Sequence, residues 1–257
     1  SKCFKKTSFL IFVDGYLFSL KRWYIKAITP LSGLNSLKFI ARDLLADSNS
    51  SINIGIMNFL SIDCSTNAGS LFIKNESKTF SKNLQNDKFN NDLLMQQILD
   101  FFEKSKMKLD DISNIFVNQG PGNFSGLRGS LAVAKGISLS KNISLYGYNT
   151  FLWSCAKFFN KKDNIYSLIK FNNRYFSMKF QKNLKNNKKA EEIKENEIRE
   201  KYDNEFIVIP KNFVAYFDKK IIKLDNVNMT DLNHKDLEFL RLKGLLDEEL
   251  IKPLYLS

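Results

Sequence analysis

From residue 57 onward, short β-favouring runs alternate with longer stretches whose apolar positions repeat at helical spacing. NFLSID (58–63) and SLFIKN (70–75) read as two strands of a hairpin around a polar turn, with Asp63 at the end of the first. In the next segment, 91–107, Leu94, Met95, Ile98, Leu99, Phe101 and Phe102 recur with helical periodicity behind a cap at Asn90 or Asn91. On a helical wheel they span roughly 160°, wider than the ~100° stripe that seats a helix on one sheet. Two readings stay open: part of the arc is covered by something outside the lobe, or the helix is buried deeply within it.

A strand, SNIFVNQG (113–120), runs into the loop GPGNFSGLR and a second helix over 125–141. Gly120 and Gly122 open backbone angles closed to other residues, Pro121 fixes one φ between them, and Ser125 is placed to cap the helix. Ser125, Gly129, Ala132, Gly136 and Ser140 fall at spacings of 4, 3, 4 and 4, which aligns them as one face of small side chains. Two interior glycines cost a helix on the order of 1 kcal/mol each relative to alanine. Close approach of another helix, from within the lobe or from a partner, is the expected compensation.

Past 150 the pattern gives NTFLWSCAKFF, then a hairpin IYSLIKFNNRYFSMKF turning at Asn172-Asn173, then the charged run 182–201 as a solvated loop and helix. EFIVIP, FVAYFDKK, a polar connection and a terminal helix complete the chain. Residues 1–56 behave differently. The apolar run 8–20, flanked by Lys5, Lys6, Lys21 and Arg22, superficially resembles a signal anchor. Asp14 interrupts it, it is shorter than the ~20 residues that span a bilayer, and no small-residue cleavage site follows. Asp14-Gly15 reads instead as a tight hairpin turn. The polar linker 47–53 then leads to Met57. These residues are either an appended module of unknown role or upstream sequence ahead of a natural start at Met57, the second being preferred.

Composition narrows the class more than the chemistry. At 257 residues, 44% hydrophobic with 23 Phe, the chain has material for two packed domains. The net charge of +12 suits a nucleic-acid partner or an acidic surface, but the lysines are spread along the chain, as AT-rich coding alone would leave them. Cys3, Cys64 and Cys155 form no CxxC pair, so neither a disulfide framework nor a zinc site is indicated and a reducing cytosol fits. The single histidine, His234, lies in polar DLNHKDLEF and reads as a surface or capping residue.

Three stretches, LSIDCST (60–66), FVNQGPGNFSGLRGSLAVAKGIS (116–138) and the C-terminal PLYLS, together resemble the TsaB family. That family is the accessory subunit of the bacterial machinery that makes threonylcarbamoyladenosine in tRNA. Its pattern is close to GPGSFTGLRIGLAxAKG after an IDTS-type strand, with a P-x-Y-L-R tail. This chain departs from it at Cys64, Asn123, Ser125, Gly129-Ser130 and Ser257. The resemblance implies an α/β protein of the actin-like, Hsp70-like ATPase (ASKHA) fold: an N-terminal extension at 1–56, a first lobe at 57–150 and a second, degenerate lobe at 151–257.

The resemblance further implies an accessory rather than a catalytic subunit, with no catalytic residue and no metal of its own. The related transferase TsaD carries a His-x-x-x-His pair on its first long helix, and a metal there needs two imidazoles one turn apart. Here that helix reads NNDLLMQQI. ATP and metal are expected on partner subunits. Asp63, Gly120, Pro121, Gly122, Asn123, Ser125, Gly126 and Arg128 form the signature loop, read as a structural turn or a vestigial phosphate loop because the second lobe offers no matching cradle. Leu94, Met95, Ile98, Leu99, Phe102, Gly129, Ala132 and Gly136 form the implied interface with a TsaD-like subunit. A TsaE-like ATPase would join the pair, tRNA would be met through the complex in the cytoplasm without a membrane, and a homodimer is possible where the partner is missing. The reaction served would be N6-threonylcarbamoylation of adenosine 37 in tRNAs reading codons that begin with A. Two competing functions remain: an independent ATP-binding enzyme using Asp63 and the loop, and a basic nucleic-acid-binding module.

Overall fold

The computed structural model describes residues 57–256 apart from 67, 77, 86–92 and 182–188, together with three strands nearer the N-terminus. The chain divides into two compact units, Ser1–Asn53 and Ile54–Ser257. In the first, β1 (Phe9–Val13), β2 (Tyr16–Lys21) and β3 (Tyr24–Ala27) form an antiparallel sheet in that order, with Val13 opposite Tyr16. The apolar run 8–20 therefore falls on paired strands, while Asp14-Gly15 and the linker 47–53 lie outside the described residues. Among the described residues, no helix is long and apolar enough to cross a membrane.

The second unit holds two five-stranded sheets. In the first, β4 (Phe59–Asp63), β5 (Ala68–Asn75) and β6 (Lys78–Gln85) form an antiparallel meander. Then α1 (Leu94–Lys104) leads to β7 (Asn114–Asn118) and α2 (Phe124–Lys141) to β8 (Ser144–Tyr148), both strands running parallel to β4. Side chains alternate across a strand, so central β4, buried at every position, serves two interiors. Leu60 and Ile62 join Ile73, Ile115 and Val117 beneath α1 and α2. Phe59 joins Phe72 and Phe116 on the opposite face. Strand β6 is not evident from the sequence, because Lys78, Ser81, Lys82 and Asn83 break the apolar alternation; lysines are common on the edge strands that need protection from further pairing. The expected caps Asn90 and Asn91 lie outside the described residues.

Buried α3 (Thr150–Cys155) carries the chain into the second sheet. It comprises β9 (Asn164–Phe171), β10 (Arg174–Gln181), β11 (Glu191–Ile193), β12 (Ile207–Pro210) and β13 (Val227–Thr230). The short helices α4 (Ile198–Lys201), α5 (Lys211–Val214) and α6 (Lys219–Ile222) are interspersed, and α7 (Asp236–Leu242) follows. Strand order in the two sheets is β6-β5-β4-β7-β8 and β11-β10-β9-β12-β13, the same layout twice. Asn172 and Asn173 take φ of 50° and 59° between paired Phe171 and Arg174, the two-residue turn that the sequence indicates. The charged run contributes an edge strand, β11, as well as helix, anchored by buried Ile193 and Ile198.

One aromatic-rich core joins the two lobes. Phe59, Phe72, Phe116, Tyr146 and Tyr148 of the first sheet share it with Phe151 and Trp153 of α3, Leu237 and Leu240 of α7, and Ile165, Ile169 and Phe176 of the second sheet.

Candidate functional site

At the carboxyl ends of parallel β4 and β7, where open α/β sheets commonly hold ligands, LSIDCST, the GPG loop and PLYLS converge. The glycines differ in what they do there. Gly120 has φ +111° and its peptide bond to Pro121 is cis, whereas Gly122 and Gly126 are needed for close approach. A Cβ on Gly122 would lie 1.9 Å from the Ser65 carbonyl oxygen, and one on Gly126 would lie 2.3 Å from that of Cys64. The Asn123 amide donates to the Ser65 carbonyl at 2.8 Å. The loop is thus pressed onto the turn after β4.

Asn123, not Ser125, caps α2: its Oδ1 accepts from the amides of Ser125 (3.0 Å) and Gly126 (3.4 Å), and the helix begins at Phe124. The earlier start puts the cap one residue beyond Gly122, where an extended backbone aims the side chain back at the helix. The Leu127 amide donates to the Asn123 carbonyl and the Gly120 amide to Asn118 Oδ1. Amides that would cradle a phosphate at a helix N-terminus are therefore engaged within the loop itself.

Asp63 is 4% exposed, and its Oδ1 accepts from the Ser65 amide (2.9 Å), Ser65 Oγ (2.7 Å) and Asn118 Nδ2 (3.0 Å). Burial raises its carboxyl above the ordinary range, and these three donors pull it back. Asn118 Nδ2 also donates to Thr150 Oγ1 at 3.1 Å, tying the turn to the start of α3. Asp63 organises backbone. Ser65, Asn118 and Thr150, which complete this network, carry no signal in one sequence beyond their places at strand and helix ends.

The tail closes the loop from outside. The Leu254 amide donates to the Gln119 carbonyl (2.6 Å), and Gln119 Nε2 donates to the Lys252 carbonyl (3.0 Å). Tyr255 stacks on Phe124 at 5.6 Å, while the Arg128 guanidinium lies 4.2 Å over the Phe124 ring and its Nε donates to Tyr255 Oη at 3.2 Å.

The helices divide the expected interface set. Leu94, Ile98 and Phe102 are buried in the lobe's own core, which removes them as surface residues; the apolar arc is wide because one edge packs on that core and the other faces outward. Met95 and Leu99 are 37% and 41% exposed. On α2, Ser125, Ala132, Gly136 and Ser140 are exposed and Gly129 is half-buried, so the small-residue face turns outward. A Cβ on Gly136 would meet nothing within 4 Å.

His234 is not the surface residue that its polar neighbours suggest. Its ring stacks on Phe72 at 5.2 Å and lies 4.9 Å from Trp153, with Nδ1 and Nε2 each 2.9 Å from a serine hydroxyl, Ser61 and Ser70. Burial lowers its pKa to about 4, so the ring is neutral at neutral pH. Trp153 Nε1 donates to the Asn233 carbonyl at 2.9 Å, and Lys74 pairs with Glu238 beside it. The residue staples β4 and β5 to the segment before α7. Among the described residues, no three His, Cys, Asp or Glu side chains group as metal ligands would.

Comparison with known proteins places this geometry. The family model described as TsaD: tRNA N6-adenosine threonylcarbamoyltransferase matches residues 88–167, the stretch from before α1 to β9. The tRNA threonylcarbamoyladenosine biosynthesis protein TsaB of Buchnera aphidicola subsp. Baizongia pistaciae (strain Bp) is 35% identical over 86 residues, 33% of this chain and 38% of that protein. Over that stretch the chain is similar to TsaB. The matched part spans 38% of that TsaB relative's length. A structure of YeaZ from Pseudomonas aeruginosa superposes with a TM-score of 0.57 at 16% identity, covering 78% of this chain and 100% of the other. A second structure, a protein with similarity to peptidase YeaZ from the same organism, gives 0.58 at 15% identity over the same shares. At such identity these matches show the fold, which is the actin-like, two-lobed α/β architecture expected from the TsaB resemblance.

Proposed function

We propose that this chain is a non-catalytic subunit in the synthesis of threonylcarbamoyladenosine on tRNA, docking a TsaD-like transferase through the outward faces of α1 and α2. One observation carries the reading: Met95 and Leu99 stand exposed on α1, and the neighbouring helix offers exposed Ala132 and Gly136, the latter with open space above it. Small side chains let a second helix approach closely, and the flanking apolar groups then leave water together. The engaged loop amides and the turn-organising role of Asp63 support a scaffold over an independent ATP-binding enzyme. ATP, metal and a TsaE-like ATPase belong, on this reading, with the partner subunits, and the assembly works in the cytoplasm.

The test is co-purification with the TsaD-like protein of the same genome. Leu99→Asp and Ala132→Arg should each abolish recovery of the pair while the variants keep a wild-type unfolding midpoint. Undiminished recovery of both variants with the partner would remove the interface. A calorimetric titration of the chain alone with Mg-ATP should give no binding, and micromolar binding would favour the enzyme instead.

A further inference from the structure

Helix α2 turns charge outward as well as small side chains. Phe124, Arg128, Ala132, Lys135 and Leu139 fall at spacings of 4, 4, 3 and 4, which aligns them along one side of the helix. All five are exposed, Leu139 at 84% and Phe124 at 53%, so apolar groups alternate with two cations. The helix carries Arg128, Lys135 and Lys141 and no Asp or Glu. Lys141 is matched, 2.8 Å from Asp110, whereas among the described residues neither Arg128 nor Lys135 forms an ion pair. Arg128 is also fixed in direction. Its guanidinium lies 4.2 Å over the Phe124 ring and its Nε donates to Tyr255 Oη at 3.2 Å, which leaves the donors of the two terminal nitrogens on an exposed side chain.

From this alternation we infer that α2 clamps two carboxylates of an acidic, amphipathic helix on the TsaD-like subunit, one at the Arg128 fork and one at Lys135. The two cations stand about 10 Å apart along the axis, the rise of seven helical residues, with Ala132 between them. The inference rests on the docking proposed above and adds the chemistry of the partner. A guanidinium held flat by a ring and a phenol has already lost the freedom that a carboxylate would otherwise have to take from it, and its fork matches a carboxylate in two hydrogen bonds. Leu139 on this helix, with Met95 and Leu99 on α1, calls for apolar cover, which a protein helix supplies and a phosphate backbone does not. A second copy of this chain fits less well, because two α2 helices crossing at Ala132 would gather four cations around one point. Arg128 and Lys135 thus make the face selective for an acidic partner over itself.

The experiment measures binding of the full chain to the TsaD-like protein of the same genome by calorimetry, at low and at high salt. The decisive variant is Lys135→Glu, because Lys135 is exposed and has no ion pair among the described residues for the change to break. Lys220→Glu on α6, an equal charge change in the second lobe, is the control. At low salt Lys135→Glu should weaken binding by about 30-fold or more, and by much less at high salt, where the repulsion it introduces is screened. Arg128→Lys should fall between wild type and Arg128→Gln, since it keeps the charge and loses the fork. The control should match wild type. Wild-type affinity in both Lys135→Glu and Arg128→Gln would overturn the clamp and leave the scaffold standing, and so would a loss equally large at both salts, which would make the contact steric. A wild-type chain that does not bind the TsaD-like protein would sink scaffold and clamp together. Sedimentation of the chain alone and titration with a labelled RNA hairpin cover the other occupants. A dimer that only Lys135→Glu breaks, or hairpin binding that only Lys135→Glu loses, with affinity for the TsaD-like protein unchanged, would give the face to a second copy or to nucleic acid and overturn the inference.

Discussion

Ile98 and Leu99 are neighbours in sequence and opposites in environment: the first is fully buried under the sheet, and the second is 41% exposed on the outer side of the same helix. A step of one residue, roughly 100° around α1, thus separates a core position from one on the face that the proposed docking uses. Ile98→Ala should destabilise the chain by about 2–5 kcal/mol, as buried aliphatic truncations do. Leu99→Ala should stay within about 0.5 kcal/mol of wild type. Urea unfolding reads the difference, and equal midpoints for the two variants would contradict the division of the arc.

The two glycines with the most contrasted surroundings make a second pair. Gly122→Ala has to push the Ser65 backbone aside and should cost about 1–3 kcal/mol or more, the range of overpacking. Gly136→Ala meets open space inside a helix and should stabilise the isolated chain by about 0.5–1 kcal/mol. Thermal melts of both variants check the contrast, which fails if Gly122→Ala melts with wild type.

Capping at α2 is testable residue by residue. Asn123→Ala removes the oxygen that holds two amides and should cost about 1 kcal/mol, whereas Ser125→Ala, exposed in the first turn, should change stability by only a few tenths. Chemical denaturation of the two single variants would show the cap displaced if their order were reversed.

His234 gives the fold an acid limit. Its folded pKa of about 4 lies below the ordinary 6.5, so its contribution is complete above pH ~6.5 and declines as the pH falls through that value towards 4. At ~1.36 kcal/mol per unit, full protonation would withdraw on the order of 3 kcal/mol. The melting temperature of wild type should therefore drop more steeply between pH 6.5 and 4 than that of His234→Gln. Parallel profiles would show that the imidazole stays solvated.

Much of the fold was legible where its chemistry is local. The GPG loop, the Asn172-Asn173 turn and the periodicity of α1 and α2 are each set by residues within a few positions of one another. What the sequence hid is non-local. His234 looks polar and exposed until β4 and β5, some 160 to 170 residues upstream, supply its two serines and a ring to lie on. Strand β6 gives a weak signal because Lys82 stands between Phe80 and Leu84 on its core-facing side and lysine and polar residues fill the rest. The twofold recurrence of strand order was invisible as well, since the second copy replaces an 18-residue helix after its fourth strand, β12, with two of four residues.

The aromatic interior common to both lobes also limits how this protein can act. With Phe59, Phe116 and Phe151 packed in one interior, turning one lobe against the other would bring these rings into water, which opposes any such rearrangement. On the docking proposed above, the surface offered to a partner is thus moulded in advance, as a template shapes what is laid on it.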